Sequence, residues 1–221
     1  MEYTRVGPGL PPVHGARAGA LILGSFPSPK SREQGFFYGH PQNRFWPLLA
    51  ALTGAPAPAH GDIAAKKRLI TENGLALWDV IRCCSIRGAS DASIRDVEPN
   101  AIPELIAALG VQAVFCNGAA AARLYARYIQ PAAGLAAVRL PSTSPANAAC
   151  APDALRRARE TALEPGRAGR GKFLKFLKSP QIVQKTGRKN ASRPRLHYNG
   201  CIRPFCRCKI PIPRFSDIHS R

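Results

Sequence analysis

The run Ala20-Leu21-Ile22-Leu23-Gly24, followed at once by Ser25-Phe26-Pro27-Ser28, decides the fold. Four apolar residues in succession leave no polar face, which suits a short strand buried on both sides, as in a parallel sheet. Gly24 ends the run and small, bent residues follow it. Working outward, positions 75–80, 111–115 and 136–140 read as three more strands. Between them lie helical patterns. One covers 45–52, with Pro47 tolerable in the first turn and Gly54 as a stop; another covers 63–72, opened by Asp62 and closed by Asn73-Gly74. Further helices are predicted at 102–109, ending at Gly110, at the alanine-rich 119–128, and at 152–163. Strands alternating with helices predict an α/β fold with a parallel sheet and right-handed crossovers.

Ligands of such sheets bind beyond the carboxyl ends of the strands. That directs attention to four loops: 24–28, 81–85 (Ile81-Arg82-Cys83-Cys84-Ser85), 116–118 (Cys116-Asn117-Gly118) and 141–147 (Pro141-Ser142-Thr143-Ser144-Pro145-Ala146-Asn147). None carries a phosphate-binding P-loop, a dinucleotide-binding glycine motif, a zinc-binding H-E-x-x-H or a nucleophile elbow. What they offer is hydroxyls, amides and backbone N–H groups, which suit phosphate contact and the reading of a neutral heterocycle.

Charge is unevenly distributed over the 221 residues. Residues 1–160 hold 17 Lys/Arg against 11 Asp/Glu, net +6, and residues 161–221 hold 15 against 2, net +13. A basic chain fits a phosphate-bearing partner. The last stretch is rich in Arg, Lys, Pro and Ser with little periodicity, so it reads as a low-order tail over 164–221, the alternative being a basic arm that follows DNA. The expected division is an N-terminal segment 1–17, a catalytic domain 18–163 and that tail. Seven sparse cysteines do not suggest a disulfide scaffold, and Met1–Arg5 lacks the pattern of a signal peptide. A monomeric cytoplasmic protein with reduced thiols and no membrane association is expected. Cys201, Cys206 and Cys208 near His197 make a poor zinc pattern, and neither metal nor cofactor is expected.

The densest cluster is Phe36-Phe37-Tyr38-Gly39-His40-Pro41-Gln42-Asn43-Arg44-Phe45-Trp46. Together with Gly24-Ser25-Phe26-Pro27-Ser28 before it and Leu140-Pro141-Ser142-Thr143-Ser144-Pro145-Ala146-Asn147 after it, this cluster resembles the hypoxanthine-DNA glycosylase branch of the uracil-DNA glycosylase superfamily, over about residues 18–160. The resemblance implies a three-layer α/β/α fold with a central four-stranded parallel sheet. It also implies hydrolysis of the N-glycosidic bond of deaminated bases, chiefly hypoxanthine, in double- or single-stranded DNA.

It further implies roles for individual residues. The related mismatch-specific branch carries Gly-Ile-Asn-Pro in the first loop; Ser25-Phe26 replaces the Ile-Asn here, so that amide is missing. The catalytic part falls instead on Asn43, and a second amide, Asn117, is expected to share it; both are expected to read the base edge. Tyr38, with Phe37 second, is expected to stack on the flipped base, beside Gly24, Ser25 and Phe26 of the first loop. Ser28, Ser142, Ser144 and Asn147 are expected to meet the DNA backbone.

Plainer readings stand beside these. Asn43 could be a helix cap, Asn117-Gly118 a turn, the phenylalanines core, and the serines simple turn residues. Asp79 and Asp91 read as caps or orienting groups rather than bases. No well-placed carboxylate pair is visible, which favours an amide-driven reaction over ordinary glycoside chemistry. No lysine lies in the motifs, so lyase chemistry is not suggested. The rival from another class is a non-catalytic nucleic-acid-binding protein that relies on its basic tail.

Overall fold

The computed structural model describes residues 2–147. The helix expected at 152–163 and the tail lie outside the described residues. Eight strands and six helices follow in the order β1 Thr4–Val6, β2 Val13–His14, β3 Ala20–Gly24, α1 Pro29–Gln34, α2 Phe45–Thr53, α3 Ile63–Thr71, β4 Leu75–Asp79, β5 Ile81–Ile86, β6 Arg95–Pro99, α4 Ile102–Leu109, β7 Ala113–Asn117, α5 Ala119–Tyr128, α6 Gln130–Ala133 and β8 Ala137–Leu140. A 3-10 turn, Asp91–Ser93, precedes β6.

The main sheet runs β2-β4-β3-β7-β8. β3 lies at its centre, parallel to both β4 and β7, and β8 is parallel to β7. These are the four strands expected from the sequence. The sheet is nevertheless five-stranded, because Val13–His14 adds an antiparallel edge against β4. Two residues are too few to leave a periodic signal. β3 explains the fold as its sequence suggests: Leu21 and Leu23 pack on one face with Val114, Cys116 and Leu124, while Ala20 and Ile22 pack on the other with Leu77, Leu49 and Ile70. Alternate residues face opposite sides of a strand, so an unbroken apolar run supplies both cores.

The helix signals translate directly. Asp62 Oδ1 accepts from Ala65 N at 2.8 Å to open α3. Gly54 and Gly110 close α2 and α4 in the left-handed region, at φ 72° and 70°.

The segment 81–85 was expected to be a loop and is a strand. β5 pairs with β1 and β6 in a separate three-stranded antiparallel sheet. The register shifts between Ile81 and Cys83 and again between Cys83 and Ser85. Such irregularities break the two-residue alternation that would have marked a strand. One residue, Val80, separates the two sheets. Its N–H donates to Gly24 O at 2.9 Å and the N–H of Ile81 donates to Ser25 O at 3.1 Å, so β5 starts while still bonded to the loop after β3.

Candidate active site

The loops after β3, β7 and β8, the end of β4, the turn at Asp91 and the aromatic segment between α1 and α2 enclose a cleft of about 840 Å³. All the residues singled out from the sequence lie on its wall: Gly24, Ser25, Phe26, Ser28, Phe37, Tyr38, Asn43, Asn117, Ser142, Ser144 and Asn147. Their side chains enter it on different terms.

Asn43 sits just ahead of α2. Its Oδ1 accepts from Phe45 N at 3.0 Å, an Asx turn just before the helix, whose N-cap is Arg44. Nδ2 makes no hydrogen bond among the described residues. The turn thus fixes the plane of the amide and leaves a donor in the cleft wall.

The three aromatics divide. Phe36 and Phe37 are buried in the core cluster with Trp46, whose Nε1 donates to Phe37 O at 3.1 Å. Tyr38 takes a left-handed backbone, φ 54°, and is half-buried. Its ring stacks on Phe45 with centroids 3.9 Å apart and planes 23° apart. The turn at Tyr38 lets two neighbouring rings enter one core and sends the third out of it. Phe37, expected as the second stacking surface, is a core residue that also lines the cleft. Phe26 is likewise buried, in the opposite core cluster, with the Arg32 guanidinium 5.7 Å from its ring centroid.

The hydroxyls of the first loop serve local structure. Ser28 Oγ accepts from Ser31 N at 3.2 Å as the cap of α1, and Ser25 Oγ donates to Asp91 Oδ2 at 2.8 Å. Gly24 is required for a steric reason: a Cβ built there would collide with Asp79 Oδ1.

The last loop is held by a lattice of polar bonds around Thr143, which is fully buried. Asn117 Nδ2 donates to Thr143 Oγ1 at 3.0 Å and Asn117 Oδ1 accepts from Thr143 N at 3.3 Å. The amide expected to read the base is therefore bonded to this loop through both of its ends. Gly118, at φ 105°, lets the loop approach, since a Cβ there would stand 3.2 Å from Ser142 Cβ. Arg44 completes the clamp. Its N–H donates to Thr143 O at 3.1 Å, and its Nη2 donates to Ser144 O at 3.1 Å and Asn147 O at 2.9 Å. Asn147 Nδ2 in turn donates to Ser142 O at 2.9 Å. Sequence reasoning missed Arg44 as a structural clamp, although it stands inside the motif that carries Asn43.

Two carboxyls also reach the cleft, where no such pair was expected. Asp79 ends β4 and is buried; Asp91 comes from the 3-10 turn. Burial pushes the Asp79 carboxyl up to about 8, and the Asp91 charge adds to the rise. Burial also raises Asp91, while the Ser25 hydroxyl and Arg123 oppose that rise. Nothing in the sequence joins the two, because β5 leaves the main sheet between them and the turn brings Asp91 back.

Cys116 is buried and its thiol is pushed up to about 12, so it stays protonated and inert. Among the described residues, no group of three His, Cys, Asp or Glu could hold a metal ion. Also among them, no helix is long and apolar enough to cross a membrane.

These features match what comparison with known proteins finds. The family model of the uracil DNA glycosylase superfamily matches residues 11–164. A hypoxanthine DNA glycosylase of Methanosarcina barkeri is 37% identical over 94 residues, which is 42% of this chain and 58% of that protein. One of Methanosarcina acetivorans is 38% identical over the same shares. The chain thus matches less than two thirds of the length of these relatives. A solution NMR structure from Methanosarcina acetivorans, described as a candidate uracil DNA glycosylase, superposes with TM-score 0.56 and 29% identity over 71% of this chain and 99% of that one. The α/β sheet, the loops at its carboxyl edge and a family match over most of the chain lead to one assignment: this chain belongs to the uracil DNA glycosylase superfamily.

Proposed function

We propose that this protein is a monofunctional DNA glycosylase that hydrolyses the N-glycosidic bond of deaminated bases, hypoxanthine first. The observation that carries this reading is the Asn43 carboxamide, held by Phe45 N through Oδ1, with an Nδ2 donor in the cleft wall that no other described residue engages. The names of the relatives support the substrate class.

Duplex DNA hides the glycosidic bond, so the nucleotide has to be extruded into a pocket. Stacking on an aromatic face supplies about 1–3 kcal/mol toward that cost, and Tyr38, backed by Phe45, is the ring for it. Cleavage leaves negative charge on the departing base and positive charge on the sugar, which water then captures. A fixed amide N–H directed at the base strengthens as that charge grows, and removing one such donor typically costs about 10²–10³ in rate. Nδ2 of Asn43 fills that role. Asn117 and Arg44 act as positioning residues that hold the 142–147 loop, whose Ser142 and Ser144 hydroxyls meet the phosphates.

Single-turnover excision on duplexes containing one deoxyinosine tests this. Asn43→Asp keeps the accepting oxygen and removes the donor; Asn43→Ala removes both. Both variants are expected to stay folded and to lose about 10²–10³ in rate. Wild-type-like turnover by Asn43→Asp would remove the amide from the mechanism. Wild-type protein that binds the duplex and releases no base would favour the non-catalytic binder instead.

A further inference from the structure

Asp79 is a buried acid whose carboxyl makes no hydrogen bond or ion pair among the described residues. It is 5% exposed and lies on the cleft wall at the carboxyl end of β4. Its Oδ2 is sealed from solvent and has no hydrogen-bond partner. Among the described residues no Lys, Arg or His forms an ion pair with it. Buried polar groups are nearly always satisfied, and an exception needs an explanation. The scaffold bonds only the main chain here: Asn100 Nδ2 donates to Asp79 O at 2.8 Å. Gly24 of β3 leaves the space that the carboxyl occupies, and the Tyr38 hydroxyl reaches within 3.5 Å of the same point. The acid therefore lines the cleft beside the proposed stacking ring, with Oδ2 turned into the protein.

We propose that Asp79 meets the extruded base as a neutral carboxylic acid and donates a hydrogen bond to its carbonyl oxygen, the group that deamination puts in place of an amine. The inference rests on the glycosylase reading above and adds to it the residue that reads the base edge. A protonated carboxyl has one O–H donor, which matches the O6 of hypoxanthine or a carbonyl of uracil. No covalent change occurs at Asp79: the C1′–N bond breaks with its electron pair going to the base, water oxygen bonds to C1′, the proton that water loses passes through solvent to the departing base, and the acid keeps its own proton.

The surroundings favour the neutral form. From β3, Gly24 brings no charge. From the aromatic segment comes the Tyr38 hydroxyl. From the 3-10 turn comes the Asp91 carboxyl, whose charge acts on Asp79; burial raises the titration of Asp91 itself, and the Ser25 hydroxyl and Arg123 oppose that rise. Burial and that charge together place the Asp79 titration near 8, so the donor is present at neutral pH and is lost on the alkaline side.

The test is single-turnover excision of deoxyinosine from duplex DNA by the full chain between pH 6 and pH 9.5, for wild type, Asp79→Asn and Asp79→Ala, with circular dichroism as the folding control. Wild type is expected to lose rate tenfold per unit above about pH 8. Asp79→Asn keeps a donor at every pH and should excise with that alkaline fall removed. Asp79→Ala should lose about 10²–10³ relative to wild type below about pH 8, with the gap narrowing above it. The N–H of the base also titrates on the alkaline side, so the decisive comparison is wild type against Asp79→Asn. An Asp79→Asn profile with the wild-type alkaline fall, or an Asp79→Ala rate equal to wild type below about pH 8, would overturn the inference and leave the glycosylase reading standing. If Asp79→Ala does not fold, the Asn profile decides alone. Wild-type protein that excises no deaminated base would overturn both.

Discussion

The aromatic segment 36–45 and the loop 142–147 face one cleft and are fixed by different forces. In the first, Phe36, Phe37, Phe45 and Trp46 are buried together, and Tyr38 stacks on the edge of that cluster. In the second, apart from buried Thr143, position comes from directional bonds to Asn117 and Arg44. Burial tolerates small displacements, because it scales with area and has no preferred direction. Polar clamps are weak individually but fix orientation, since a hydrogen bond fades steeply with angle. One wall therefore supplies stability and the other supplies placement, and substitutions should separate the two.

Phe45→Ala should give the largest effect. It removes a ring that is 1% exposed and the support beneath Tyr38, and is expected to cost about 3–5 kcal/mol in denaturant unfolding. A cost below about 1 kcal/mol would show that the aromatic wall is not an independent source of stability. Arg44→Ala should cost about 1.5–3 kcal/mol, the usual range for hydrogen bonds from a charged group. Its signature is faster amide exchange confined to residues 142–147, and Arg44→Lys should not restore protection, because one ammonium cannot reproduce the fork. Exchange that rises equally in both walls would break the comparison.

Asp79→Asn addresses the cleft floor between them. The folded state keeps the Asp79 proton up to about pH 8, whereas the unfolded chain releases it near 3.8. The folded state thus binds more protons in that window, and this group makes stability fall as pH rises from about 4 to about 8. Relative to wild type, Asp79→Asn should gain at most about 1.4 kcal/mol per pH unit across the window and nothing further outside it. Thermal melting of both proteins at a series of pH values measures this, and parallel curves would refute it. The smallest effect is the coupling between Asn117 and Thr143. A double-mutant cycle with Asn117→Ala and Thr143→Ala should give about 0.5–1.5 kcal/mol, and a coupling of zero would remove the Asn117 clamp.

Most of the architecture was legible in the sequence because apolar runs and capping residues are local. β3 was visible as four buried residues, and α3 through Asp62. β5 was not, since its irregular register erases the alternation that sequence reading depends on. The contents of the cleft were legible as motifs, but not the use of each side chain. Asn43 and Asn117 are the same chemical group in similar loops, yet one keeps a free donor and the other holds Thr143. That difference comes from contacts 26 residues apart in the chain, which no local pattern encodes. Asp79 looked like a strand-end cap because sequence does not reveal that its neighbours leave the carboxyl unbonded.

The single-residue junction at Val80 limits how the pocket can open. The strand carrying the acid at the pocket floor runs almost without interruption into the small sheet, and the N–H groups at the junction remain tied to the loop after β3. That flank cannot swing outward without tearing the central sheet. The 142–147 segment across the cleft has no such continuity with a strand of the second sheet, and its anchors are the bonds to Asn117 and to the main chain and guanidinium of Arg44.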